Sequence, residues 1–125
     1  MYLAGPLTMG GQVVDPTVLR VRREYYRRLG AALEQYLGTS VYVPHVHTTE
    51  SEEQGLISRY GGVVASRIIL HRVAGVLKRP YCTGLTLTGT WTHSRGCVYE
   101  YHKAQMERIP IWIPSPTLIQ ALGGA

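Results

Sequence analysis

Aspartate occurs once in this chain, at Asp15, and lysine only twice, at Lys78 and Lys103. Cysteine also occurs twice, at Cys82 and Cys97, with no C-x-x-C spacing. Two thiols make no disulfide framework, and in a reducing compartment they are expected to be buried and free. His93 and Cys97 stand four apart without a second such pair, so no metal site is predicted. No apolar run approaches the ~20 residues of a membrane span. The opening Met1-Tyr2-Leu3-Ala4 lacks the basic flank and long apolar stretch of a secretion signal. The expectation is a soluble, cytoplasmic protein with no membrane partner.

What is present is a folded composition. Of 125 residues, 45% are hydrophobic and 17% charged, enough for one domain over residues 1–125 with a sizeable core. The net charge is +5, carried mainly by eleven arginines. The guanidinium fork matches phosphate oxygens, so this bias suits phosphate-bearing ligands. No basic run carries the interleaved aromatics that track a nucleic-acid strand, so nucleic acid is not expected as a partner. Carboxylate chemistry must draw on Asp15 and seven glutamates: Glu24, Glu34, Glu50, Glu52, Glu53, Glu100 and Glu107.

Residues 1–4 read as a short buried strand, broken by Gly5-Pro6. Leu7 to Val14, with Gly10-Gly11, reads as a mobile loop. Asp15-Pro16 signals a helix start. Apolar residues at Val18, Val21, Tyr25, Leu29, Leu33 and Tyr36 have helical spacing, and Gly38 is a C-cap glycine. On this phase Arg20 to Arg28 form a solvated face. Ser40 to Val43 is a second strand, followed by Pro44, His45 and His47. Thr48 to Gly55 reads as a loop or the cap of a short helix, and Val63 to Lys78 as a helix. Leu85 to Thr88 is a third strand and Gly89 to Gly96 a loop. Cys97 to Glu107 is a helix, Ile109 to Ile113 a fourth strand, and Thr117 to Leu122 a last helical turn. Strands alternating with helices imply an α/β fold with a mainly parallel sheet, here of four to five strands in a flavodoxin- or Rossmann-like arrangement. Ligands of such sheets sit beyond the C-terminal strand ends, which selects the loops 5–14, 45–55 and 89–96.

Two of these loops carry a motif. Tyr2-Leu3-Ala4-Gly5-Pro6-Leu7 places a glycine directly after a buried strand, where a ligand can approach the backbone. Gly89-Thr90-Trp91-Thr92-His93-Ser94-Arg95-Gly96 runs into a helix N-terminus, whose free N–H groups and dipole favour an anion. Ser94 adds a hydroxyl there, or serves only as the N-cap. Glu100 follows about a turn later.

Together the motifs resemble the nucleoside 2-deoxyribosyltransferase superfamily, including its small nucleoside 5′-monophosphate N-glycosidases. The opening Tyr2 to Leu7 is similar to that family's first strand and loop. Trp91 to Glu100 is similar to its G-W-x-x-S-x-G-x-x-x-E loop, with Thr90 in place of the first glycine. Thr39 to His45 resembles the second-strand segment of the cytidylate hydrolases in this group, and Ala104 to Ile113 its last helix end and final strand.

The resemblance implies Glu100 as nucleophile at the anomeric carbon, and Ser94 and Gly96 at the 5′-phosphate. It also implies Tyr2, Gly5 and Pro6 near base and sugar, no cofactor, and a homodimer or higher homo-oligomer that completes the site. Oxocarbenium chemistry suits a carboxylate beside the anomeric carbon. Two aspartates usual in the family are absent, since Ser66 to Arg72 and Tyr81 to Gly84 carry no acid. The site is therefore rebuilt, with His45, His47, His71 or His93 near the leaving base, or it is catalytically weak. Trp91 covers the base or anchors its loop in the core. The expected activity is hydrolysis of the N-glycosidic bond of a nucleoside 5′-monophosphate. Base exchange between deoxynucleosides is the alternative in the same fold, and a non-catalytic nucleotide-binding protein is the rival from another class.

Overall fold

In the computed structural model, which describes residues 1–7 and 15–123, three short parallel strands carry the fold. They are β1 (Tyr2–Ala4), β2 (Leu85–Leu87) and β3 (Ile111–Trp112), adjacent in that order. Tyr2 pairs with Leu85 and Ala4 with Leu87 on one side of β2, and Leu85 pairs with Ile111 on the other. The parallel α/β order agrees with the sequence reading. The Gly10-Gly11 pair of the expected loop lies outside the described residues.

Strand alternation splits the interior into two layers. Tyr2, Ala4, Leu85 and Leu87 face one way and pack with Leu77, Cys82, Cys97, Ala104 and Ile109. Leu3 faces the other way and packs with Leu19, Tyr26, Leu29, Leu33, Val43 and Ile119. The first layer is covered by α5 (Arg95–Met106), the second by α1 (Pro16–Leu37) and α6 (Pro116–Ala121). Both cysteines are buried and free.

The expectation of four to five strands is corrected to three. Ser40 to Val43 forms no strand; its contact is a single parallel bridge, Tyr2 to Tyr42. Leu3 N–H donates to the Tyr42 carbonyl at 2.9 Å, and Tyr42 N–H donates to that of Met1 at 2.7 Å. The segment is too short to extend the ladder. Gly38 closes α1 in the left-handed conformation, φ 68°, and Pro44 opens the next helix, α2 (Pro44–His47). Few residues are left between the two stops.

The acidic stretch after α2, expected as a loop or the cap of a short helix, is the cap and first half of an eleven-residue helix, α3 (Glu50–Tyr60). The Thr49 hydroxyl accepts from the Glu52 N–H at 3.1 Å and donates to its carboxylate at 3.1 Å, a reciprocal N-terminal cap. A further helix, α4 (Gly62–Ala74), follows at once. Among the described residues, no helix is long and apolar enough to cross a membrane.

Helix α1 begins as expected, with the Asp15 carboxylate accepting from Thr17 N–H at 2.8 Å. Its buried face is different. Leu19, Tyr26, Leu29, Gly30 and Leu33 are buried, whereas Val21 and Tyr36 are exposed. The face is rotated by about one residue from the expected stripe, which brings Arg23 inward.

Candidate functional site

A cleft opens beyond the C-terminal end of β1, beside the N-terminus of α5. Its cavity volume is about 70 Å³, a narrow space between the walls. The position follows from the connections: β1 is bridged by Tyr42 on one edge and paired with β2 on the other. Successive crossovers thus leave in opposite directions at β1, and the loops there diverge to leave a crevice.

Glu100, Ser94, Gly96 and Cys97 bring α5 to the cleft. Ser94 is the N-cap, its hydroxyl accepting from Cys97 N–H at 3.3 Å. A methyl group on Gly96 would meet only Leu70 and the Ser94 hydroxyl, at 3.8 Å or more. These are ordinary van der Waals contacts, so the position has room for a small side chain. Glu100, in the second turn, is 5% exposed although it lines the cleft. Burial pushes its carboxyl up to about 7, against a smaller downward pull from the Tyr2 hydroxyl. Tyr2 is fully buried beneath it. Its hydroxyl completes no hydrogen bond yet lies within electrostatic reach of Glu100. Burial and then the Glu100 charge raise the Tyr2 pKa. Burial also pushes the Cys97 thiol up to about 12, leaving it protonated and unreactive.

Gly5 and His45 line the facing side. The His45 Nε2 is 2.7 Å from the Gly5 carbonyl. A carbonyl only accepts, so Nε2 carries the hydrogen and Nδ1 is the acceptor. Burial pulls the His45 pKa down to about 4. At neutral pH the ring is uncharged and its one N–H is committed to Gly5. It has no proton to give a leaving base. His47 points elsewhere, stacked on Tyr42 with centroids 4.3 Å apart. Both lie in α2, where residues two apart do not face the same way, so the helical conformation separates the two histidines.

Gly5 has a packing reason of its own. A Cβ there would overlap the Tyr26 ring and hydroxyl, and that hydroxyl donates to the Pro6 carbonyl at 2.9 Å. Pro6, Trp91 and His93 are not part of the cleft lining. Trp91 packs against the core and on Tyr101, centroids 5.2 Å apart. His93 is exposed on the 3-10 turn 91–93. His71 is also exposed, its ring edge-to-face with Tyr99.

The cleft includes residues that the sequence reading did not single out: Arg23 of α1, outside the three selected loops, and Thr48 and Glu53 within the selected segment 45–55. The Arg23 and Glu53 side chains are 15% and 3% exposed and approach to 3.1 Å. The Arg23 Nε donates to the His45 carbonyl at 2.8 Å. The signal for Arg23 is the spacing Leu19, Arg23, Tyr26, Gly30, a helical face with one charge in it. The signal for Glu53 is its match, three residues along, to Glu50, which pairs with Arg20 at 2.7 Å. Ile69, Leu70 and Val73 of α4 supply an apolar wall. Among the described residues, no three His, Cys, Asp or Glu side chains gather as metal ligands. Comparison with protein-family models, with curated proteins and with solved structures finds no match for this chain.

Proposed function

We propose that this protein hydrolyses the N-glycosidic bond of a nucleoside 5′-monophosphate, as its resemblance to the nucleoside 2-deoxyribosyltransferase superfamily implies. One observation carries the reading. A buried glutamate, Glu100, lines the same cleft as the capped N-terminus of the helix that bears it, with Tyr2 at its back. The 5′-phosphate is placed at Ser94 and Gly96, where the helix dipole and backbone N–H groups favour an anion.

The ionised Glu100 oxygen attacks the anomeric carbon. The carbon–nitrogen bond breaks and its electron pair leaves with the base, which takes up a proton. Water then adds to the anomeric carbon, frees the carboxylate, and yields sugar 5-phosphate. Phosphate held at a distance turns remote binding energy into positioning of the reacting carbon. A cytoplasmic homo-oligomer is part of the proposal, supported by exposed Tyr60, Val63 and Val64 around the α3–α4 junction.

The test is chromatographic: free base released from ribo- and deoxyribonucleoside 5′-monophosphates, beside Glu100→Gln. Release by the wild type and a loss of at least about a thousandfold in the variant is the expected result; equal release by both rules the mechanism out. Base exchange without net hydrolysis would favour the transferase alternative. A second reading, nucleotide binding without turnover, is favoured by the neutral His45 whose N–H is already committed. It predicts tight binding with no base released over long incubation.

A further inference from the structure

Three residues that line the cleft, two of them paired, carry buried polar atoms without a completed hydrogen bond. They are Arg23 at Nη2, Thr48 at Oγ1 and Glu53 at Oε1. Thr48 and Glu53 are each 2% exposed. The Arg23 Nη2 stands 3.1 Å from the other Glu53 oxygen, close enough to pair charges but without hydrogen-bond geometry. Leaving such atoms buried and unmet is costly, and folded proteins do it rarely. Three lining one cleft point to a ligand that meets them.

The chemistry of these residues narrows that ligand. Glu53 offers an acceptor, Arg23 a donor, and Thr48 a hydroxyl of either kind. A phosphate does not fit. It brings no donor for Glu53, and the carboxylate beside the guanidinium repels it. The cleft's arginine is therefore not the phosphate seat, although arginine is the residue usually assigned to one. What fits is a planar edge with an N–H beside an acceptor atom, and every nucleobase has one. The adjoining Ile69, Leu70 and Val73 give the flat face of such a ring an apolar surface.

We propose that Glu53, paired with Arg23 and assisted by Thr48, reads the hydrogen-bonding edge of the base. This fixes the direction of the bound nucleotide: base toward α1 and α3, phosphate toward the N-terminus of α5. The proposal rests on the nucleotide reading above and adds the specificity-determining residues to it.

The test is calorimetry at pH 8 in the Glu100→Gln background, which prevents turnover. The ligands are UMP, CMP, AMP, GMP and ribose 5-phosphate. For the tightest nucleotide, an analogue with the edge N–H replaced by N-methyl is added, such as N3-methyl-UMP for UMP or N4,N4-dimethyl-CMP for CMP. The expected result is a loss of about tenfold or more on methylation. A similar loss is expected from adding Glu53→Gln or Thr48→Val, with ribose 5-phosphate affinity unchanged within about twofold. The glutamine amide must turn its NH2 either to Arg23 or to the ligand's donor, and both orientations lose a contact. Equal losses for nucleotide and ribose 5-phosphate overturn the proposal, because these residues then hold the sugar phosphate. No loss with any variant or analogue overturns it too. The methylated ligands need no variant at these residues, so a folding defect there does not decide the outcome. If neither nucleotides nor ribose 5-phosphate bind, the nucleotide reading itself fails, which is distinct from binding that ignores the base.

Discussion

At neutral pH the Glu100 carboxyl is about half protonated, since burial has pushed its pKa up to about 7. The nucleophile of the proposed reaction is the ionised form. Below about pH 7, kcat/KM should fall roughly tenfold per pH unit, and above it the rate should level off. A pH–rate profile of base release checks this; a flat profile down to pH 5 would show that Glu100 ionisation does not govern the rate. Gly5 makes a separate prediction. A methyl group there runs into the Tyr26 ring, which is buried and also packs on His45 at 4.7 Å. Gly5→Ala should cost about 1–3 kcal/mol of stability, as overpacked cores do, measurable by urea unfolding. Were the glycine needed only for ligand approach, stability would not change and affinity alone would fall.

Two capped helices differ in what they are expected to serve. Asp15 caps α1 and Ser94 caps α5, so replacing either by alanine should cost about 1 kcal/mol. Of the two, Ser94→Ala alone should also weaken binding of a 5′-phosphate, because Ser94 and Gly96 at the start of α5 line the cleft and Asp15 does not. Parallel melts and ribose 5-phosphate titrations of the two variants distinguish a cap from a cap that is also a ligand site. At this scale the sequence reading was right to within two residues about both ends of α1, α5 and α6 and about the start of α4, which it carried on to Lys78 where the helix ends at Ala74. Asp15-Pro16, Gly38 and Ser94 are local signals, and local geometry decides caps. It was wrong about the phase of α1, and of Thr48 to Gly55, read as a loop or the cap of a short helix, the structure makes the cap and first half of the eleven-residue α3. Tyr25 and Tyr26 are adjacent, and Val18 and Leu19 are adjacent, so two apolar stripes compete along one helix. Which one turns inward depends on the sheet it meets, and Leu3 and Val43 receive the Leu19–Tyr26–Leu33 side.

Across the whole molecule, a buried carboxyl and a half-buried imidazole oppose each other. Glu100 has a native pKa of about 7 against an ordinary value of 4.5. The native state holds its proton longer than the unfolded chain, so Glu100 favours folding below pH 4.5. That advantage is lost as pH rises to about 7, a change on the order of 3 kcal/mol. His45 has a native pKa of about 4 against 6.5. The unfolded chain binds its proton first, so its contribution is present above pH 6.5 and is lost as pH falls toward 4, by a roughly similar amount. Between about pH 4.5 and 6.5 the two slopes nearly cancel. Glu100→Gln removes one of them. The variant should become steadily less stable from pH 6.5 to pH 4.5, while the wild type stays nearly level. At pH 8 the variant should be the more stable of the two. Denaturation midpoints across this range check it, and identical profiles for both proteins would refute it.

The parallel α/β order, the helix caps and the approach of Gly5, Ser94, Gly96 and Glu100 to one site were legible in the sequence alone. Each rests on short-range chemistry or on the rule that binding loops gather at the C-terminal ends of parallel strands. The three-stranded sheet was not legible, because whether Ser40 to Val43 pairs along its length depends on how close the stops at Gly38 and Pro44 bring the neighbouring elements. Nor were the inward turn of Arg23, its meeting with Glu53 and the separation of His45 from His47. The two charges lie on different helices, so only the packing of α1 and α3 brings them into one cavity, whereas His45 and His47 part because Pro44–His47 is helical instead of extended. Burial then sets their chemistry, through the desolvation that raises Glu100 and lowers His45.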